Sequence, residues 1–191
     1  PLHDFSKPSE KVNRTLKPVA RESANIEAEK GEVVISNFLG DGIPESYIVG
    51  GKRHAEGGTP LWAPENSFIF SDYKSGRKKG EKGLKINDPK ILELFDIKLS
   101  KKTKKGITPA EIAKKYDLNT YKKQLLDPNS DHITQTTAEE MIGNNVDKLG
   151  LLSLVQESMK GFPDGIPHLA IPFLQARGID QQMFLPDQEE E

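Results

Sequence analysis

The sequence predicts an α+β protein, with a small antiparallel β module followed by a helical region and with extended termini. Three observations carry this expectation. Short β-prone runs separated by glycine pairs occupy the stretch from Ile26 to Ser71. A segment dense in glycine and lysine, Lys74 to Gly83, then ends that texture. Beyond it, helix-start signals recur before amphipathic runs. The chain accordingly divides into an extended arm (1–23), a β-rich Gly-Gly module (24–75), a basic loop (76–86), a helical region (87–178) and an acidic tail (179–191).

Residues 1 to 23 are polar, carry Pro8 and Pro18 and show no sustained apolar period, which reads as an extended arm. The β-prone runs are Glu32-Val33-Val34-Ile35-Ser36, Ser46-Tyr47-Ile48-Val49 and Ser67-Phe68-Ile69-Phe70-Ser71. Gly40-Asp41-Gly42, Gly50-Gly51 and Gly57-Gly58 punctuate them. Side chains alternate along a strand, so Phe68 and Phe70 share the face that feeds the core, with Trp62 close by. Asp88-Pro89 places an N-cap before a first-turn proline, and Ile91, Leu92, Leu94 and Phe95 then give a short amphipathic helix. Thr108-Pro109-Ala110-Glu111 combines that proline with a capping box and predicts a helix from Pro109 to about Tyr116. Another helix covers Thr120 to Leu126 and stops at Asp127-Pro128.

Thr137-Ala138-Glu139-Glu140 reads as a second capping box that opens the longest helix. Its apolar stripe of Met141, Ile142, Leu149, Leu152, Val155 and Met159 runs to Gly161 as C-cap, with both methionines assigned to the core. Gly143 and Gly150 lie inside it at about 1 kcal/mol each relative to alanine, which implies close approach of another element or a kink. After the turn from Gly161 to Pro167, Leu169, Ile171, Phe173 and Leu174 form an apolar patch broken by Pro172, of the kind that docks on a neighbour. The tetrapeptide Asp-Gly-Ile-Pro occurs at Asp41 to Pro44 and at Asp164 to Pro167, as one turn used twice.

Composition bounds the function. Leu, Ile, Val and Phe make up 48 of 191 residues, above the roughly 20% below which chains stay disordered, so a packed but thin core is expected. The absence of cysteine excludes a disulfide framework, a thiolate zinc site and a catalytic thiol. No apolar run reaches the roughly 18 residues of a membrane span; the longest candidate is Leu149 to Val155. The first residues, Pro1-Leu2-His3, show neither methionine nor a charged-then-apolar leader, which reads as a processed product or a piece of a longer protein.

The net charge of −2 conceals a strong asymmetry. Lys74 to Lys105 holds twelve basic residues against Glu81, Asp88, Glu93 and Asp96, leaving −10 for the rest. Such a segment is either a solvated lysine-rich loop or a contact for a polyanion or an acidic neighbour. No aromatic residue lies between Lys74 and Leu94 to stack on bases, which favours the solvated loop. The candidate contact residues are Lys52, Arg53, His54, Glu56, Arg77, Lys78, Lys79, Lys101, Lys102, Lys104 and Lys105.

Gly50-Gly51-Lys52-Arg53-His54-Ala55-Glu56-Gly57-Gly58 is the most unusual stretch, since glycine pairs leave backbone amides free to meet an anion or to pack closely. His54 and Glu56 are placed for an acid/base pair or half a metal site. A metal needs a third ligand, however, and neither His132 nor His168 supplies one by a recognised spacing. The plainer reading is a tight turn. Gly76-Arg77-Lys78-Lys79-Gly80 lacks the Gly-Lys-Ser/Thr ending of a phosphate loop, and no Gly-x-Ser-x-Gly, His-Glu-x-x-His or calcium-loop pattern occurs. The residues therefore point to no catalytic, cofactor or metal site.

Asn25-Ile26-Glu27-Ala28-Glu29-Lys30-Gly31-Glu32, the Gly50 to Gly58 stretch and Pro64 to Asp72 together resemble a module in structural proteins of crAss-like tailed phages that infect Bacteroidetes. Ile107 to Ala113 and Gln156 to Pro163 are similar to that group as well, so the likeness falls between Asn25 and Pro167. The resemblance implies a non-enzymatic virion protein, made in the host cytoplasm and located in the tail or capsid interior. It implies either a segment of a large cargo protein ejected with the genome or a fixed tail-barrel, muzzle or capsid component. The partners it implies are other virion proteins (tail, portal, muzzle or capsid); the charge asymmetry adds copies of itself and nonspecific contact with packaged DNA, and no apolar run suggests a membrane. The competing reading from another class is a DNA-processing enzyme using His54 and Glu56, with the lysine loop as an anion clamp.

Overall fold

The computed structural model describes residues 14–53, 56–74 and 83–184. Six strands come first: β1 (Thr15–Leu16), β2 (Ile26–Ala28), β3 (Val33–Ser36), β4 (Glu45–Val49), β5 (Thr59–Leu61) and β6 (Phe68–Phe70). Helices follow: α1 (Pro89–Leu94), α2 (Lys101–Lys104), α3 (Pro109–Ala113), α4 (Asn119–Leu126), α5 (His132–Lys160) and α6 (Ile171–Ala176). The α+β arrangement is thus the one the sequence predicts.

The main sheet has the order β1-β4-β3-β6, and β2 pairs with β5 alone. The predicted antiparallel pairings are present, with Val34 opposite Tyr47 on β4 and opposite Ile69 on β6. Within the span read as an extended arm, Thr15–Leu16 instead forms an edge strand parallel to β4, which makes the sheet mixed. Gly50 permits this approach, because a Cβ there would fall 2.9 Å from the Thr15 Cγ2. The first glycine pair thus serves packing.

β3 is buried on both faces, which explains its uninterrupted Val-Val-Ile run. Val34 and Val49 face Ala28 and Leu61 of the β2–β5 pair. Val33, Ile35 and Phe70 face the helices, in one core with Leu92, Ile112, Leu149 and Leu152. Phe68 and Phe70 share that face as predicted, with ring centroids 4.8 Å apart. Trp62 stays outside the core, 50% exposed and tilted against Phe38. The same core crosses the predicted loop boundary at 76–86, because the helices complete the inner face of the sheet.

Asp88 caps α1 and Thr108 caps α3 through their side chains, each with proline in the first turn. Helix α5 begins at His132 with Asp131 as N-cap, six residues before the second predicted capping box. Thr137 is therefore interior. The β-branched Ile133, Thr134, Thr136 and Thr137 weaken local helix propensity and disguise this first turn. Gly161 ends α5 in the left-handed conformation, as the sequence predicts. Met159 is exposed rather than in the core, at the outer edge of the last turn. The apolar patch after Pro167 docks within the chain: Ala170, Phe173 and Leu174 pack on Leu154.

The two interior glycines of α5 differ. Gly143 faces open space, whereas a Cβ on Gly150 would lie 2.9 Å from the Leu169 carbonyl oxygen and 3.3 Å from the Phe173 Cβ. Gly143→Ala is expected to raise stability by roughly 0.5–1 kcal/mol through helix propensity. Gly150→Ala is expected to lower it by about 1–3 kcal/mol, because backbone must move. Thermal melts of the two variants should therefore shift in opposite directions.

Candidate functional site

The exposed lysines gather around α2. Its Ser100 cap accepts from the Thr103 amide, while the Thr103 hydroxyl oxygen accepts from the Ser100 amide at 2.7 Å. Thr103 is buried, so this single turn is anchored by one side chain and turns Lys101, Lys102, Lys104 and Lys105 outward. Their charges also complement the carbonyl end of the helix. The sequence singled out these four lysines without predicting the helix that presents them, because four residues are too few for an apolar period.

Two further lysines join them. Ile86 and Ile107 exchange backbone hydrogen bonds of 2.8 and 2.9 Å in an antiparallel bridge. That bridge lays Lys85 against Gly106, where a Cβ would come 2.7 Å from the Lys85 Cβ. Lys74 and Lys102 both approach Glu111, each at 3.8 Å from one of its carboxylate oxygens. Glu111 thereby draws Lys74 to the edge of the α2 group. Lys85, Lys101, Lys104 and Lys105 have no ion-pair partner among the described residues. Exposed ammonium groups of this kind meet phosphate oxygens as point charges, without reading bases. Arg77, Lys78 and Lys79 lie outside the described residues.

The Gly-Gly segment forms a separate arrangement. The Thr59 hydroxyl bonds both the amide and the carbonyl of Lys52, at 2.7 Å each. The Arg53 carbonyl accepts from the amides of Glu56 and Gly58, at 2.8 and 2.9 Å. The Arg53 guanidinium lies 3.7 Å from Asp72, and Asp72 also accepts from the Thr108 hydroxyl at 2.9 Å. Arg53 is therefore tied to the junction of β6 and α3. The side chains of Lys52 and Glu56 are exposed and unpaired among the described residues. His54 lies outside the described residues, so the His54–Glu56 pairing does too.

Sequence reading missed the most strongly organised charges. Lys122 of α4 is 5% exposed, and its ammonium donates to Glu45 at 2.8 Å, to Asp41 at 3.0 Å and to the Ile43 carbonyl at 2.9 Å. Glu45 is 1% exposed and also accepts from Arg14 and the Tyr47 hydroxyl. The Lys122 hydrogen bond holds the Asp41 carboxyl below the ordinary carboxylate range. Burial, then the hydrogen bond to Glu45, pushes the Tyr47 phenol up. Next to this group, Asn119 bonds the Ser46 amide and carbonyl at 2.9 and 2.8 Å. The Ser46 Oγ beside it is buried without a hydrogen-bond partner, and the ion pairs and amide bonds together clamp α4 to β4. Among the described residues no three His, Asp or Glu side chains gather as a metal site requires, and no helix is long and apolar enough to cross a membrane.

No family model matches the chain, and neither a curated protein nor a solved structure matches it.

Proposed function

We propose that the chain is a non-enzymatic component of a phage particle, a segment of a cargo protein held in the tail or capsid, whose lysine face touches packaged DNA. The observation that carries the DNA contact is the presentation of Lys101, Lys102, Lys104 and Lys105 on one anchored turn, with Lys74 and Lys85 beside it. Its contacts are with phosphates, so it is indifferent to base sequence and sensitive to salt. Other virion proteins are the remaining partners, and the resemblance of the segment from Asn25 to Pro167 supports that part.

Duplex DNA binding measured across a salt series tests the DNA contact. The logarithm of the wild-type affinity should fall linearly with log salt, and changing the four α2 lysines to glutamine should flatten the slope by about 0.9 for each phosphate that is no longer neutralised. Binding that ignores salt, or that survives the four substitutions unchanged, overturns the DNA contact. Quantitative mass spectrometry of filled and emptied particles tests the cargo assignment: depletion after ejection supports it, and full retention makes the chain a fixed component. Absence from both removes the virion reading.

A further inference from the structure

A cavity of about 530 Å³ opens where the start of β6, the end of α5 and the second Asp-Gly-Ile-Pro turn meet. That volume lies within the range of small-ligand sites. Phe68, Ile166 and Ile171 supply apolar wall, while Glu157, Asp164 and His168 supply its ionisable groups. Among the described residues no lysine or arginine lines it. Glu157 is 6% exposed, and its carboxylate accepts only long hydrogen bonds, from Lys160 at 3.3 Å and Gln156 at 3.4 Å. A desolvated carboxylate so loosely held gains from a second cationic donor. Asp164, on the adjoining turn, has no ion-pair or hydrogen-bond partner among the described residues. Three ligating side chains do not come together here, so a coordinated metal does not fit.

We propose that this cavity binds an aliphatic amine or guanidine, its cationic head on Glu157 and Asp164 and its stem along Phe68, Ile166 and Ile171. Lys160 already pairs with Glu157 from outside the lining, so the incoming head is drawn by the second carboxylate, Asp164, and the apolar wall distinguishes an organic cation from a hydrated inorganic one. The same chemistry is offered by a free diamine and by a lysine or arginine side chain of a neighbouring protein. The site is independent of the lysine face and would stand if DNA binding failed.

The test is a titration of the whole chain followed by amide NMR at Gly165 and His168, with cadaverine in one arm and a doubly blocked lysine in the other. Hexanoate, of similar stem and opposite charge, is the control. Saturable shifts with either cation, and none with hexanoate, are expected. Tighter binding of cadaverine points to a free amine, and tighter binding of blocked lysine points to a protein side chain. Asp164→Asn should weaken binding at least tenfold, and Ile171→Trp, which fills the cavity, should abolish it. Glu157→Gln should also weaken it; because Glu157 is buried, the exposed Asp164 variant carries the decision if that protein does not fold. Absence of saturation with both cations overturns the proposal, as does equal binding of hexanoate or undiminished binding by both Asp164→Asn and Ile171→Trp.

Discussion

Lys122→Met is expected to lower the unfolding free energy by about 3–5 kcal/mol, the range found when one member of a buried ion pair is removed. The loss arises on the partner. Glu45 is 1% exposed at the start of β4, and without Lys122 it retains only Arg14, whose side chain is half exposed, and the Tyr47 hydroxyl. Methionine replaces the stem of lysine but not its ammonium, so packing of α4 against the sheet is largely kept and the measured loss reports charge. Adding Glu45→Gln should recover part of it, because the uncompensated carboxylate is then gone. Urea unfolding of the wild type, both single variants and the double variant closes the cycle. A loss below about 1 kcal/mol, typical of an exposed pair, would place Lys122 in water.

Asp41 gives the same variant a pH signature. Its folded-state carboxyl is lowered by Lys122, so the stabilisation is fully present above the unfolded-state value near 3.8 and disappears as pH falls through the lower folded-state value. Measured in the Glu45→Gln background, the gap that Lys122→Met opens should therefore narrow only below about pH 3.8. A gap that narrows near neutrality would implicate a different group.

Why the sequence concealed this cluster follows from its chemistry. Lys122 stands in Tyr121-Lys122-Lys123-Gln124, where an inward lysine looks like its solvated neighbours. Glu45 lies 77 residues away, and no spacing rule connects them. Signals that depend on a few adjacent residues fared better: Asp88-Pro89, Thr108-Pro109 and Gly161 each mark the helix end they cap. The strands of the main sheet after the arm were legible too, since Val33-Val34-Ile35, Tyr47-Ile48-Val49 and Phe68-Ile69-Phe70 are β-prone apolar runs. β1 was not, because two residues held by a parallel neighbour and by Gly50 leave no period. For the candidate site, composition located the lysines of α2. Their partnership with Lys85 and Lys74 required the Ile86–Ile107 bridge and the shared Glu111. Of the second glycine-rich motif, Arg53 and its turn became legible through Asp72, whose approach depends on Thr108, 36 residues further on.

Phe70→Ala should cost about 3–5 kcal/mol, the usual range for a buried phenylalanine whose surroundings relax only in part. Phe70 is fully buried at the seam where the inner face of the sheet meets the helices. The seam is also polar: Gln156 of α5 accepts from the Ser71 amide at 2.8 Å and donates to the Ile69 carbonyl at 3.0 Å. The Ala110 amide donates to the Ser71 carbonyl at 3.0 Å, which ties α3 to the same strand. Beyond the loop boundary read from composition, α5 and α3 thus provide the apolar cover of β6 and, beside its ladder with β3, further hydrogen bonds at its end. A β module cut at that boundary would expose Val33, Ile35 and Phe70 together. Loss of Phe70 should accordingly destabilise sheet and helices as one unit. The single tryptophan, Trp62, reports the β side through its fluorescence, and far-UV ellipticity is dominated by the 29-residue α5. Both probes should unfold at one denaturant midpoint in the wild type and at one lower midpoint in Phe70→Ala. If tryptophan fluorescence alone moved while the helical transition stayed in place, the chain would fold as two units divided at the basic loop, and the shared core would not couple them.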